Sequence, residues 1–310
     1  MTLLFIFFIM KMNHGILISL ACLALVAGCK KSPQPTPAPE PDPVPVEQEK
    51  IPIRLSAAVT KVTDLSFENA DEVGLYVVNR DGSSLSASGN HLTNVPFTFD
   101  GSAWTAPQAS YWKDQSTHAD FYVYYPYVSS VTDISAIPFS ISSDQSTQDK
   151  YKTCDVLWGT SKDIAPSGDP VPVKMYHSLS NILVYLVPGR GYTEETLSQQ
   201  EVSLLVGGTV LEGNLNLSDG TVTAKGTPSD ITPFKEDDHY RAMIVPQTIE
   251  DVTLISIRVG DDSYSLTRSG TFEGGKQYKC TLTINKVAEG ISIGIGDWEE
   301  GDEDFGGVVG

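Results

Sequence analysis

Apolar residues in this chain recur at every second position, in short runs cut by turn residues, and almost nowhere at helical spacing. Ile51, Ile53, Leu55, Ala57 and Val59 alternate with other residues, the mark of a strand with one buried face. Pro52 makes that strand an edge or a strand start, because proline lacks a ladder donor. Val95, Phe97 and Phe99 alternate into Asp100-Gly101, a strong hairpin signal. Asp120 to Pro126 is an aromatic strand, and Asn181 to Val187 is apolar enough to be buried on both faces. The pattern predicts about sixteen short strands at the turn spacing of β-sandwiches. Thr193 to Gln200 is the one plausible helix, with Thr193 as its cap and Glu194 and Glu195 in its first turn.

The N-terminus sets the compartment. Lys11 precedes an apolar run, Ile16 to Ala27, that ends in small residues, the layout of a secretory signal. A signal starting at Met10 or Met12 has more ordinary proportions than one starting at Met1. Val26-Ala-Gly-Cys29 resembles the bacterial lipobox, which implies cleavage of residues 1–28 and lipidation of Cys29. Seven prolines then alternate with other residues from Pro33 to Pro45. Neither helix nor sheet accepts that spacing. Residues 29–50 are therefore expected to be a polyproline II tether reaching roughly 60 Å.

Removing 28 of 310 residues leaves 282, room for about two domains. Lys and Arg number 21 against 39 Asp and Glu, a net charge of -18. Nucleic acid is excluded as a partner, since its phosphates would be repelled. Docking on anionic lipid is disfavoured too, so membrane attachment falls to the acyl group. Cys154 and Cys280 remain after processing. They could form a disulfide in an oxidising compartment, if their Cα atoms lie within about 7 Å, or act as small buried hydrophobes.

No catalytic, cofactor-binding or metal site is expected. His91, His118, His177 and His239 do not fall at a zinc spacing. His118 and His239 suit loops, and His177 suits a hydrogen-bonded structural position. No nucleophile elbow or phosphate-binding loop is present. The acidic run from Asp297 to Asp304 does not fit an EF-hand and reads as a solvated tail. Trp104, Trp112, Tyr122, Tyr124 and Trp158 could make a sugar platform, but their alternation on strands favours the core.

Several segments together resemble the fimbrillin family, the lipoprotein pilins of Bacteroidales. They include Ile53-Arg-Leu-Ser-Ala57, Asp71-Glu-Val-Gly-Leu-Tyr76, Asp155-Val-Leu-Trp-Gly159, His177-Ser-Leu-Ser-Asn-Ile182, Phe272 to Tyr278 and Ile293-Gly-Ile-Gly-Asp-Trp298. The resemblance implies an all-β chain of two tandem transthyretin-like β-sandwich domains, 51–178 and 179–310, behind the lipoprotein signal and the tether. It implies a stalk, anchor or tip subunit of a fimbria at the outer membrane, with other pilin subunits and a host or bacterial surface ligand as partners. Lys30 and Lys31 depart from the acidic residues that surface export in such lipoproteins implies. The family's assembly route implies that a protease removes the first strand, cutting after Lys61 or Arg54. A C-terminal strand of the next subunit, here Ile291 to Trp298 with Ile291, Ile293 and Ile295 inward, then fills the groove. The alternatives are a permanent first strand and a monomeric surface lipoprotein that binds glycans through exposed aromatics.

Overall fold

The computed structural model describes residues 49–59, 66–287, 290–295 and 299–300. Cys29, the tether up to residue 48, Lys61 and the tail from residue 301 onward lie outside the described residues. In chain order the first elements are β1 (Leu55–Val59), β2 (Glu72–Asn79), β3 (Leu92–Phe99), β4 (Trp104–Thr105) and β5 (Ala119–Tyr125). After β6 (Ile137–Ser140) and α1 (Gln148–Lys152) come β7 (Leu157–Ile164) and β8 (Val171–His177). Seven of these strands form one sheet in the order β1-β8-β7-β5-β2-β3-β4. β1 runs parallel to β8, and the other neighbours are antiparallel.

Both faces of that sheet are covered, and the side-chain alternation shows how. Val73, Leu75 and Val77 of β2 join Phe121, Val123, Val171 and Val173 in one apolar cluster. Tyr76 and Val78 of the same strand point the other way, with Tyr122, Tyr124 and Trp158, into a second and larger cluster. β-Branched and aromatic residues suit such a pleated, packed surface.

The rest of the chain supplies β9 (Ser180–Pro188), α2 (Glu194–Ser198), β10 (Val202–Leu215), β11 (Val222–Ile231), β12 (Phe234–Glu236), β13 (His239–Ile244), β14 (Gln247–Val259), β15 (Asp262–Phe272), β16 (Gln277–Val287), β17 (Gly290–Ile295) and β18 (Glu299–Glu300). One sheet runs β11-β10-β14-β15, with β6 also paired to β10; the other runs β12-β13-β9-β16-β17, with β18 also on β16. Ser178 lies where the chain leaves β8 for β9. β6 precedes that point yet bonds β10, from Ile137 opposite Leu215 to Ser140 opposite Glu212.

The predicted helix is α2, capped by Thr193 in a reciprocal box with Thr196. α1 is not predicted, although it is as long as α2 and has the same kind of threonine cap and first-turn acid. Thr147 caps it by accepting from the Lys150 amide. Cys154 and Cys280 are both buried and unbridged. Burial pushes the Cys280 thiol up to about 11, so it stays protonated and inert.

Candidate assembly interface

The first strand is held from two sides by different parts of the chain. Leu55 to Val59 forms a ladder with Val171 to Met175 of β8. The residues ahead of it bond elsewhere. Ile53 donates to Ser110 O at 2.8 Å, and Trp112 donates to Ile51 O at 2.9 Å. The predicted strand Ile51–Val59 is thus one extended segment with two neighbours in succession. Pro52, which cannot donate to a ladder, sits in the short bridge to Tyr111. Arg54 marks the changeover: its carbonyl accepts from the Val171 amide at 2.8 Å, while its side chain is exposed.

A third contact ties the segment to the far edge of the sheet. Trp104 opens β4, at the opposite end of the strand order, and its indole N–H donates to Ala57 O at 3.1 Å. Asp100-Gly101 makes this possible. Gly101 takes φ 92°, and the Asp100 carboxylate accepts from the Ser102 and Ala103 amides, which turns the chain back and delivers Trp104. The indole packs edge-on to Phe67 at 4.8 Å and tilted against Phe99 at 5.2 Å. The first sheet is therefore rolled until its first and last strands touch, with the N-terminal segment in the seam.

Inside the seam the side chains are graded. Ile53, Leu55 and Ala57 are buried in the first cluster, and Ile51 and Val59 pack partly against it. Beyond Val59 lies a cavity of about 110 Å³ lined by Phe67, Asp71, Tyr125 and Asp155. Tyr125 donates to Asp71 there at 3.2 Å. Burial first, and the Asp71 charge second, push the Tyr125 phenol up, so it remains a donor at every physiological pH.

The C-terminal candidate lies elsewhere. β17, which carries Ile291, Ile293 and Ile295, is antiparallel to β16, with Leu282 opposite Ile295 and Val287 opposite Gly290. It is the last strand of its sheet, with a ladder neighbour on one side only. The structure thus does not bring Ile291, Ile293 and Ile295 into the ladder with β8, and Lys61 and Cys29 lie outside the described residues. What the sequence alone could not show was the part played by Trp104 and Ser110–Trp112, which no local pattern links to Ala57 and Ile51.

The remaining candidates are structural. His177 Nδ1 lies 3.0 Å from Asp155 Oδ1, and both side chains are buried. Trp104, Trp112, Tyr122, Tyr124 and Trp158 are all buried. Among the described residues no three His, Cys, Asp or Glu side chains are placed to hold a metal ion. Nor, among them, is any helix long and apolar enough to cross a membrane.

Comparison with known proteins now decides the family. The fimbrillin-like family matches residues 60–298. The chain belongs to the fimbrillin-like family. A protein named as the fimbrium subunit Fim1C of Bacteroides uniformis is 24% identical over 255 residues, covering 78% of this chain and 82% of that one. A fimbrium tip subunit Fim1C of Bacteroides ovatus is 29% identical over 136 residues, 39% of this chain and 24% of its own length. Among solved structures, a cell adhesion protein from Bacteroides ovatus superposes with a TM-score of 0.62 at 18% identity, covering 82% of this chain and 98% of that one. The fimbrillin-like chain is all-β, and the two curated relatives it matches are named as fimbrium subunits.

Proposed function

We propose that this fimbrillin-like chain is a stalk, anchor or tip subunit of a fimbria that joins its neighbour by strand replacement at the seat of β1. The observation that supports this is the seat itself. β1 has one ladder neighbour, buries alternate side chains, and is bracketed by Ser110–Trp112 and Trp104. Its removal would leave an apolar groove beside the unpaired edge of β8, and such an edge templates another strand. Cleavage after Lys61 would free it, whereas cleavage after Arg54 would release only the residues ahead of β1 and leave Leu55–Val59 joined to the chain. Arg54 presents an exposed side chain, but its carbonyl is bonded to Val171.

Donation of Ile291 to Trp298 to a neighbouring subunit fits the position of β17 at the end of its sheet. Lipidation at Cys29 would hold the uncut chain at the outer membrane, with the tether carrying the folded part away from it, and cleavage after Lys61 would part the folded chain from that anchor. Fatty-acid labelling that marks wild type and spares Cys29→Ser tests the anchor.

Electron microscopy and N-terminal sequencing of the protein purified from its native surface test the main reading. Fibres whose chains begin after Lys61 support it. Monomers that keep Ile51 count against it. The rival reading, glycan binding through exposed aromatics, loses the five rings that suggested it, since all are buried. Tyr111, at 39% exposure, is the one large hydrophobic side chain that is exposed among the described residues.

A further inference from the structure

We infer that Trp104 selects which strand can occupy the seat beside β8, and that it admits a strand from a different polypeptide and rejects this chain's own C-terminal segment. The inference rests on the strand-replacement reading and adds the identity of the partner. The seat is shaped by what fills it now. Counting along β1 and the residues before it, the inward positions hold Ile51, Ile53, Leu55, Ala57 and Val59. Four of them are branched aliphatic residues. The fourth position in order is alanine, and it is only 9% exposed, so the small side chain is closed in rather than facing solvent. Trp104 sits beside this position, in the same buried cluster. The indole is buried, donates to the carbonyl of Ala57 itself, and is fixed by Phe67 and Phe99 on its own flanks. A rigid ring held by three contacts cannot step aside for added methylenes, and overpacking a dense core is penalised.

A strand that replaces β1 therefore has to read large, large, small at alternate positions, with a free backbone carbonyl at the small one for the Trp104 N–H. Laid in the direction in which β1 runs, the chain's own segment does not. Placing Ile291, Ile293 or Ile295 at the Ala57 position sets an isoleucine against the indole. Placing Ile291, Ile293 and Ile295 at the Ile51, Ile53 and Leu55 positions matches those three, but brings Asp297 to the Ala57 position, where a carboxylate would be buried. Moving the register by one residue turns Ser292, Gly294 and Gly296 inward and leaves the Ile53 and Leu55 sites empty. Further on, Phe305, Gly307 and Val309 follow the order of Leu55, Ala57 and Val59, but they carry Glu303 to the buried Ile53 position. The partner is an extended segment of another subunit with the pattern large–x–large–x–small, and this chain does not form a fibre of copies of itself.

The test uses the full mature chain nicked by trypsin, so that the cut strand stays seated until displaced. Three fluorescent peptides compete for the seat: the Ile51–Val59 sequence, the same sequence with Ala57→Ile, and the Ile291–Glu299 sequence. The first is expected to bind about tenfold or more tightly than the other two. In the nicked Trp104→Ala chain that preference is expected to shrink severalfold. Equal binding of the first and third peptides to the wild-type chain would overturn the inference, and so would an unchanged preference in Trp104→Ala. If no peptide displaces the cut strand, strand replacement itself fails and the inference with it. The intact chain gives a second readout. Ala57→Ile should lower the melting temperature in the wild-type background and add nothing further in the Trp104→Ala background. Additive losses would remove Trp104 as the selecting residue.

Discussion

The indole N–H of Trp104 donates to the carbonyl oxygen of Ala57 across 3.1 Å, and so joins the last strand of the first sheet to its first. The bond is buried, which sets its value. Trp104→Phe keeps an aromatic ring beside Phe67 and Phe99 but leaves Ala57 O without its donor. An acceptor buried without a partner costs about 1–3 kcal/mol. Urea unfolding should show a lower midpoint with an unchanged slope, since the surface exposed on unfolding does not change. A midpoint equal to wild type would mean that the bond contributes nothing.

A second indole fixes the first sheet to the later strands. Trp158 of β7 donates its N–H to Leu217 O at 2.7 Å, and its ring lies against Gly220. Gly220 takes φ +76°, and a Cβ there would fall 2.7 Å from the ring. Gly220→Ala therefore carries both a strained backbone and a clash. A loss of about 2–4 kcal/mol is expected, larger than the effect of backbone conformation alone. Trp158→Leu in the same background should recover part of it, because the clash is removed and the strain remains. Thermal unfolding of the two single variants and the double variant checks this.

Much of the fold was legible because strands with a buried face announce themselves. Ile51 to Val59, Asp120 to Tyr125 and Asn181 to Val187 all read as extended from period and residue type, and all are extended. Asp100-Gly101 read as a turn for the same local reason. What stayed hidden was every contact between distant segments. No spacing in the sequence says that β6 leaves its neighbours to pair with β10, or that Trp104 reaches Ala57, forty-seven residues away. The candidate interface was half legible on the same grounds. Its alternating residues could be read, but the bracket formed by Ser110–Trp112 and Trp104 arises only when the sheet rolls up. α1 was missed although Thr147 precedes it as Thr193 precedes α2, because a cap and one acid among many loop Thr and Asp residues do not stand out.

Gln145 shows how a side chain can stand in for a strand. It is fully buried on the segment between β6 and α1. Its Oε1 accepts from the Met243 amide at 2.9 Å, and its Nε2 donates to Met243 O at 2.9 Å and to Ser142 O at 3.2 Å. Met243 lies on β13 beyond the short pairing with β12, which ends at Arg241. The amide thus continues the ladder where β12 stops. Gln145→Leu is close in size but cannot make these bonds, so the Met243 N–H and C=O are both left buried and unpaired. The expected cost is about 2–5 kcal/mol, from two groups at roughly 1–3 kcal/mol each. Hydrogen exchange should show the Met243 amide losing protection by several orders of magnitude more than amides in β2.

The response to acid follows from a repeated turn. Asp81, Asp100, Asp114, Asp133 and Asp144 each accept from the hydroxyl of a serine two residues on, and from that serine's amide. All five carboxyls are held below their ordinary range: Asp81 first by Lys113, Asp100 by the Ala103 amide, Asp114 by the Thr117 hydroxyl, Asp144 by Lys150 and Asp133 by Ser135, with the serine bonds adding to the other four. Asp144 is the clearest case. The Lys150 ammonium first, then the Ser146 hydroxyl and amide, bring it to about 2. In the unfolded chain an aspartate titrates near about 3.9. The folded state therefore gains from the ionised form above that pH, and the gain fades as pH falls from about 4 through about 2. These carboxylates are exposed, so each contributes modestly and salt weakens the lysine pairs. Asp144→Asn keeps an oxygen for Ser146 but loses the charge that Lys150 meets. Its stability should match wild type near pH 2 and fall below it near pH 6, so the curve of melting temperature against pH becomes flatter between pH 4 and 2. A parallel curve, displaced equally at every pH, would show that the carboxylate acts through packing and not through its charge.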